Sequence, residues 1–291
     1  MTNTTFVKMV RRYYWLAKPG IVYGNLFTAI AAYIFGAKGF GNVSVFFGMI
    51  VGVALVIACG CVLNNIYDKD IDMYMERTKS RSLVTRKITT SSAVVYAAVL
   101  GGIGFTYLVL YTNIQTVICG VVGLVFYVPI YTIAKRRTVH GTLIGTISGA
   151  TPPVAGYVAA TSRFDITALL LFLTLVTWQM PHFYAIAVRR LDDYKKAGIP
   201  VLPAVKGIAY TVTQIRAYIA GFIICIVLLS IYADAGVLFG VCMSMIGIRW
   251  LIGSTASVQN DVSQWAKRVF SFSLLSLFMF NVLLAASIFV R

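Results

Sequence analysis

The sequence predicts an all-α integral membrane protein with nine transmembrane helices, and three observations lead to this fold class. Of its 291 residues, 59% are hydrophobic and only 12% are charged, whereas about a quarter of the residues in a soluble domain are charged. A helix crosses a membrane with about 20 apolar residues, so the chain has room for about nine crossings. Its apolar stretches, bounded by charged clusters, Gly and Pro, span residues 20–37, 43–66, 91–111, 114–134, 141–161, 166–188, 208–231, 235–254 and 269–290. The composition therefore excludes a pair of soluble domains.

The first apolar stretch follows four basic residues, Lys8, Arg11, Arg12 and Lys18, an order that also occurs in secretory signal peptides. The apolar part of a signal peptide has about 7–15 residues. Residues 20–37 form a longer run, and eight further stretches follow it. We therefore predict that this stretch is the first transmembrane helix.

Basic residues lie mainly in the amino terminus and in the even-numbered loops between the stretches. The chain has 25 Lys and Arg against 9 Asp and Glu, a net charge of +16, which in a soluble protein would suggest a nucleic-acid partner. In a membrane protein the cytoplasmic loops collect Lys and Arg, so no nucleic-acid partner is expected. Only Lys38, Arg163 and the terminal Arg291 fall on the other side. This distribution predicts a cytoplasmic amino terminus and an outer carboxyl terminus.

The second stretch runs directly into a cluster of acidic residues, because four of the nine acidic residues lie between positions 68 and 76. If the helix continues out of the membrane, Asn64, Asp68 and Asp72 are spaced i, i+4 and i+8 and share one face. Oxygen ligands at this spacing suit Mg²⁺, which binds one or two carboxylates and completes its coordination with water and substrate phosphate. The alternative is a solvated helix end whose acidic residues pair with nearby basic ones, namely Lys69, Arg77 and Lys79.

Basic residues follow the acidic cluster in the same loop, at Arg77, Lys79 and Arg81. Carboxylates, Mg²⁺ and a group of Arg and Lys side chains together hold a diphosphate and stabilise it as it leaves. At the end of the fourth stretch, Lys135 and Arg136 lie on the same side of the membrane and can join this group. The alternative for each basic residue is a charge that only sets the orientation of the chain.

The sixth stretch contains polar residues that are costly inside a membrane. Gln179 and His182 flank Pro181 near the inner third of the bilayer, and polar side chains at such depth are expected to face a cavity. The other histidine of the chain, His140, lies just before the fifth stretch. Each histidine is a candidate for a substrate site, and the alternative is a hydrogen-bonded packing residue.

Two of the predicted cytoplasmic loops, 67–90 and 189–207, are much longer than most outer connections. Long loops within a compact protein often act as lids or binding elements. The second of them carries the adjacent pair Asp192 and Asp193. The acidic residues of both loops are therefore candidates for one shared site.

These motifs together resemble the UbiA-type intramembrane prenyltransferases, which carry an NxxxDxxxD motif after the second helix and a second Asp-bearing loop after the sixth. Within that group the sequence resembles the protoheme IX farnesyltransferases, or heme O synthases, from about residue 14 to about residue 210. The motifs are Lys18-Pro19-Gly20-Ile21, Met75-Glu76-Arg77-Thr78, Gly149-Ala150-Thr151-Pro152-Pro153, Trp178-Gln179-Met180-Pro181-His182 and Ala197-Gly198-Ile199-Pro200. Two features depart from the pattern: Asp192 and Asp193 replace the DxxxD of quinone-type relatives, and Ser82 stands where many members have Pro.

The resemblance implies one UbiA-type domain over residues 1–291, with nine helices around a central cavity capped by loops 2–3 and 6–7. It implies that farnesyl diphosphate and Mg²⁺ are held between two segments, and that a farnesyl group is transferred to a vinyl group of protoheme IX (heme B). Water is added in this reaction, which yields heme O and diphosphate. The residues that match the catalytic and metal-binding motifs are Asn64, Asp68, Asp72 and Asp193, with Asp192 as a further metal ligand. Arg77, Lys79 and Arg81 match the basic stretch for the diphosphate, which Lys135 and Arg136 can join. The candidates for heme binding are His182, His140 and Gln179, and the resemblance does not decide which histidine binds the iron.

The resemblance also implies a place in the bacterial inner membrane and a hand-over of the product to heme A synthase or to terminal oxidase assembly. An alternative within the same enzyme class is a quinone or chlorophyll-like acceptor. An alternative from another class is a membrane transporter, which would place polar residues near the middle of the bilayer. The acidic residues here cluster at one membrane face beside long loops, and this favours an enzyme.

Overall fold

The computed structural model describes residues 3–255 and 261–289, and within these ranges every regular element is helical. The first half contains α1 (Asn3–Leu16), α2 (Pro19–Ala37), α3 (Val43–Tyr67), α4 (Lys69–Asp72), α5 (Thr90–Tyr111), α6 (Ile114–Val125) and α7 (Tyr131–Arg137). The second half contains α8 (Gly141–Thr161), α9 (Ile166–Arg189), α10 (Leu191–Lys196), α11 (Leu202–Val205), α12 (Gly207–Tyr232), α13 (Val237–Thr255) and α14 (Val262–Ala286). The predicted all-α class is confirmed.

Eight helical segments of the described residues are long and apolar enough to cross a membrane. They are α2, α3, α5, Ile114–Arg137, α9, α12, α13 and Val262–Phe289. Helix α8 has 21 residues and no charged side chain, but its many Gly, Thr, Ser and Pro residues make it less apolar. The chain is an integral membrane protein, and the count of nine crossings stays a prediction with α8 as the ninth.

Two helices differ from the sequence prediction. Helix α14 begins at Val262 instead of residue 269, and the side chain of Asp261 caps it by accepting from the N–H of Gln264. Helix α1 was not predicted at all. It lies before the first apolar stretch and exposes several large apolar side chains, among them Phe6, Val10 and Trp15. The terminal Arg291 of the charge count lies outside the described residues.

Small residues allow the transmembrane helices to approach closely. A Cβ atom built on Gly156 of α8 would lie 1.9 Å from the carbonyl oxygen of Ala29 in α2. Helices α3 and α5 meet in the same way, since a Cβ atom on Gly52 would lie 2.4 Å from a methyl carbon of Leu108. Close packing of this kind replaces the hydrophobic effect as the force that joins helices in lipid.

The fourth crossing changes its winding halfway along. Residues 126–130 form one π-helical turn that joins α6 to α7 and contains Pro129. Proline has no N–H and disturbs the regular ladder, and π turns inside α-helices often occur at functional sites. Tyr127 lies within this turn and Tyr131 follows it, and both side chains face the cavity described below.

Six helical segments surround a cavity of about 1170 Å³. They are α2, α3, the segment Ile114–Arg137, α8, α9 and α14. The two long loops, here called the first cap loop (68–89) and the second cap loop (190–206), contain α4, α10 and α11. They share a small apolar cluster in which Met75 packs with Ile199 and Val201. The cap loops therefore contact each other beside the cavity, in agreement with the expected architecture.

Candidate active site

The helix of the second crossing continues almost without interruption into the first cap loop. The N–H of Asp68 donates to the carbonyl oxygen of Asn64 at 2.9 Å, and the N–H of Asp72 donates to that of Asp68 at 2.8 Å. These i to i+4 bonds place the three side chains on one face. All three residues are at least 95% buried, and all three line the cavity. The predicted alignment of Asn64, Asp68 and Asp72 is confirmed.

Each member of this face has a basic partner from another part of the chain. Lys18, at the start of α2, donates to Asn64 Oδ1 at 2.7 Å. Lys135, at the end of α7, pairs with Asp68 Oδ2, and Arg81 of the first cap loop pairs with Asp72 Oδ2. We call Asn64, Asp68 and Asp72 with these three partners the polar face. Burying a carboxylate is costly unless it is paired and hydrogen-bonded, and these contacts provide the compensation.

Some polar atoms of this region have no hydrogen-bond partner although they are buried. They include Asn64 Nδ2, Asp68 Oδ1 and, in the second cap loop, Asp193 Oδ2. The Arg136 guanidinium lies 3.8 Å from Asp68 Oδ1, beyond hydrogen-bond distance. Buried carboxylate oxygens without partners are costly, and they are available to a cation or a ligand donor.

The cavity carries an excess of positive charge. Among the described residues that line it, six are basic, namely Lys18, Arg77, Arg81, Lys135, Arg189 and Arg190. Two are acidic, namely Asp68 and Asp72. Desolvation of its ammonium group lowers the pKa of Lys18 to about 8. A cavity with low-dielectric walls and one dominant sign of charge attracts ligands of the opposite sign. The cavity therefore suits an anionic ligand.

Several residues that the sequence predicted for the site lie away from the cavity lining. Lys79 pairs with Glu76 at 2.5 Å, and both side chains are more than half exposed. Arg136 binds both carboxylate oxygens of Asp70 at 2.7 Å, and this contact lowers the pKa of Asp70. His140 is exposed and directly precedes α8. The structure therefore does not bring Lys79, Arg136 or His140 to the lining of the cavity.

The acidic pair of the second cap loop divides into one buried and one exposed residue. Asp193 is 8% exposed, and its Oδ1 accepts from the N–H of Glu76 in the first cap loop at 3.4 Å. Asp192 is exposed. Within residues 3–255 and 261–289, no three Asp, Glu, His or Cys side chains form a group that could hold a metal ion. Asp193 thus joins the two cap loops, and in the described part of the chain its carboxylate forms no hydrogen bond or ion pair with the polar face.

Aromatic residues and a histidine line another part of the cavity wall. His182 of α9 stacks on Trp178 with ring centroids 5.0 Å apart, and its centroid is 4.9 Å from that of Phe270 in α14. Gln179 is 4% exposed, and its amide group donates to the carbonyl oxygen of Thr146 in α8 at 3.2 Å. Both predicted polar residues of the sixth crossing therefore face the cavity.

Sequence reasoning missed four residues that line the cavity in or near the polar face. Lys18 was counted only as a charge that sets orientation, although it stands in the Lys18-Pro19-Gly20 motif. Tyr127 donates to Asn64 Oδ1 at 3.4 Å, and Lys135 Nζ lies 5.1 Å from the ring centroid of Tyr131. Tyr194 lines the cavity from the second cap loop. Tyrosine is so frequent in this chain that its sequence pattern gave no signal for particular positions.

Known proteins are similar to this chain over most of its length. Residues 25–284 match the UbiA prenyltransferase family. A protoheme IX farnesyltransferase from Edwardsiella ictaluri is 42% identical over 280 residues, which cover 95% of this chain and 94% of that relative. A protoheme IX farnesyltransferase from Yersinia pseudotuberculosis is 41% identical over 280 residues, which cover 95% of each chain.

Solved structures share the fold over most of the chain. A structure described as digeranylgeranylglyceryl phosphate synthase has a TM-score of 0.80 at 19% identity and covers 97% of this chain and 99% of its own. A UbiA homologue from Aeropyrum pernix K1 has a TM-score of 0.73 at 20% identity, with coverage of 92% and 98%. A UbiA homologue from Archaeoglobus fulgidus, bound to GPP and Mg²⁺, has a TM-score of 0.66 at 17% identity, with coverage of 94% and 99%. At these identities the likeness establishes the fold alone.

Proposed function

The chain belongs to the UbiA prenyltransferase family, and we propose that it transfers a farnesyl group from farnesyl diphosphate to protoheme IX. The farnesyl group joins a vinyl group of the heme, water is added, and the products are heme O and diphosphate. One observation carries this proposal: a single cavity combines a basic, carboxylate-bearing wall with an aromatic, histidine-bearing wall. Its volume of about 1170 Å³ exceeds the roughly 300–1,000 Å³ typical of pockets for one small ligand, so it suits two substrates.

The polar face is the place for the diphosphate. Its three cations, Lys18, Arg81 and Lys135, line the cavity, and Arg77 adds a fourth cation from the first cap loop. When the bond between the farnesyl carbon and the diphosphate oxygen breaks, both electrons go to the leaving oxygen. Fixed cations around the phosphate oxygens stabilise the charge that develops there.

Magnesium fits the chemistry of the residues at this end. Asn64, Asp68 and Asp72 present oxygen atoms from one helix face, and Asp68 Oδ1 is buried without a hydrogen bond. Oxygen donors of this kind are those that Mg²⁺ prefers. We propose that Asn64, Asp68 and Asp72 hold it, with Asp193 from the opposite cap loop. The ion would supply positive charge that neutralises the departing diphosphate.

The allylic cation that remains needs stabilisation without a nucleophile close by. The rings of Tyr127 and Tyr131 line the cavity beside the polar face and are stacked with their centroids 6.0 Å apart. The faces of aromatic rings attract cations. These rings can stabilise the farnesyl cation until the vinyl group attacks it. Water then adds to the new carbocation on the heme side chain and loses a proton.

The acceptor would bind against α9 and α14. Trp178 and Phe270 provide aromatic surface for the porphyrin, and His182 and Gln179 lie beside them. Arg189 and Arg190 line the cavity at the carboxyl end of α9, where they can pair with the two carboxylates of protoheme. These contacts favour a flat, dianionic acceptor over a neutral quinone.

The test is mass spectrometry of heme extracted after incubation of the purified protein with protoheme, farnesyl diphosphate and Mg²⁺. The expected result is a heme that has gained a farnesyl group and one water, and EDTA should abolish it. Asp72→Asn should be inactive, whereas Asp70→Asn is the matched control because Asp70 is 64% exposed and lies outside the cavity. Prenylation of a quinone precursor instead of heme would refute the acceptor and retain the rest of the site.

We place the polar face and the cap loops at the cytoplasmic side of a bacterial inner membrane. The amino terminus would then lie inside and the carboxyl terminus outside. The excess of basic residues in the even-numbered loops supports this orientation. Residues 1–291 would form one domain, since the cavity is lined by residues from Trp15 to Leu277. Farnesylated heme is lipid-soluble, so its transfer to heme A synthase or to terminal oxidase assembly would occur within the membrane.

A further inference from the structure

His182 and Ser273 join α9 to α14 beside the cavity. His182 Nδ1 lies 2.7 Å from Ser273 Oγ. A hydrogen bond between a histidine and a serine can run in either direction, because each group can donate or accept. The direction matters because it decides which ring nitrogen of His182 carries the proton.

The second hydrogen bond of Ser273 settles this direction. Its hydroxyl group donates to the carbonyl oxygen of Phe270, and a carbonyl oxygen can only accept. A serine hydroxyl has one hydrogen, so Ser273 Oγ uses that hydrogen for Phe270 and must accept from His182. The proton of the imidazole therefore sits on Nδ1, and Nε2 keeps its lone pair.

The other nitrogen of the ring, Nε2, is partly accessible. Within the part of the chain that the structure describes, Nε2 makes no hydrogen bond and is not among the fully buried unpaired atoms. His182 is half-buried and lines the cavity. Its lone pair is thus available to a bound acceptor.

We propose that Ser273 is a positioning residue that fixes the Nδ1-protonated tautomer of His182, so that Nε2 is the axial ligand of the heme iron during farnesyl transfer. This inference rests on the proposed function for the identity of the acceptor. A neutral imidazole nitrogen is a common ligand of heme iron. Metal-bound histidines usually donate their other N–H to a carbonyl, carboxylate or similar acceptor, which fixes the tautomer and the ring orientation.

The packing around the ring supports the same role. Trp178 stacks on His182 at an interplanar angle of 25°. Its Nε1 donates to the carbonyl oxygen of Ser273 at 2.9 Å and lies 3.2 Å from Ser276 Oγ. Ser273 thus positions His182 through its hydroxyl group and Trp178 through its backbone. Within the described residues Ser276 forms a hydrogen bond with Trp178 and none with His182, which makes it a matched control.

The tautomer can be measured on substrate-free protein by ¹⁵N NMR of the histidine ring. The chain has two histidines, so His140→Gln leaves His182 as the single imidazole. We expect a protonated Nδ1 and an unprotonated Nε2, a mixture of tautomers in Ser273→Ala, and an unchanged spectrum in Ser276→Ala. A protonated Nε2 in the parent protein, or an unchanged tautomer in Ser273→Ala, would overturn the assignment.

Heme binding provides the second readout. Ser273→Ala should weaken the affinity for ferric protoheme about 10-fold and change its visible absorption spectrum, as expected when a partner of a metal ligand is lost. The KM for farnesyl diphosphate should not change, and Ser276→Ala should bind heme as the parent does. Equal heme affinity in Ser273→Ala would overturn the positioning role. If the parent makes no heme O, the proposed function fails, whereas the NMR result still decides the tautomer.

Discussion

Lys18 Nζ lies 2.7 Å from Asn64 Oδ1, although 46 residues separate the two in the chain. Lys18 adopts a left-handed backbone conformation, with φ of 52°, between α1 and Pro19 of α2. This turn separates α2 from the amino-terminal helix and leaves the lysine beside Asn64. A cation so placed contacts the first member of the Asn-Asp-Asp face and lines the same cavity.

Lys18→Met should raise the KM for farnesyl diphosphate by about 10-fold or more. The reason is that a hydrogen bond from a charged group contributes about 1.5–3 kcal/mol, and every 1.4 kcal/mol corresponds to a factor of about ten. Steady-state kinetics with varied farnesyl diphosphate provide the measurement. Lys8→Met is the control, since Lys8 is an exposed cation on α1. An unchanged KM in Lys18→Met would remove Lys18 from the diphosphate site.

Gly156→Ala should lower the thermal stability of the protein in detergent. Its Cβ atom would lie 1.9 Å from the carbonyl oxygen of Ala29, so α2 and α8 must separate, and overpacking of this kind costs about 1–3 kcal/mol. Gly102→Ala is the control in another helix, since a Cβ atom there meets nothing within 4 Å. Equal melting temperatures for the two variants would show that α2 and α8 do not pack as described.

The crossings were predictable because long apolar runs end at charged or helix-breaking residues. The start of α14 was missed because Lys267 and Arg268 interrupt the apolar pattern. In the structure both are exposed while Trp265, Ala266 and Val269 are buried, so the helix passes through the basic pair without burying it. Helix α1 was missed because its apolar residues are interspersed with cations and most of them remain exposed.

The candidate site was predictable only where its residues are near in sequence. The helical period alone aligns Asn64, Asp68 and Asp72. The partners of this face come from distant segments, and nothing in the local pattern distinguishes Lys135, which pairs with Asp68, from Arg136, which binds Asp70. Long-range packing makes that selection, so the sequence could offer both residues without ranking them.

Asp68→Ala should destabilise the protein as well as inactivate it. Lys135 pairs with Asp68, and their side chains are 11% and 7% exposed, so removal of the carboxylate leaves a largely buried charge without its partner. Removing one member of a buried pair costs about 3–5 kcal/mol. The double variant Asp68→Ala/Lys135→Ala should therefore regain much of the lost stability and stay inactive.

Thermal unfolding and turnover, measured on both single variants and on the double variant, provide this test. Glu76→Ala is the control, because Glu76 pairs with Lys79 at the surface and exposed pairs contribute little. Stability losses that simply add in the double variant would show that the two charges do not compensate each other.

Asp193→Asn should reduce the Mg²⁺-dependent turnover at least 10-fold, which corresponds to about 1.4 kcal/mol. Asp192→Asn should leave this turnover nearly unchanged. The two residues are adjacent and chemically identical, but only Asp193 is buried, with Oδ1 near the N–H of Glu76 and Oδ2 unpaired. The side-chain amide introduced at this position can still accept from the N–H of Glu76, so the substitution removes charge and retains the contact between the cap loops. Activity measured against Mg²⁺ concentration should show a weaker metal dependence in Asp193→Asn alone. Equal effects of both substitutions would mean that the burial of Asp193 has no role in metal binding.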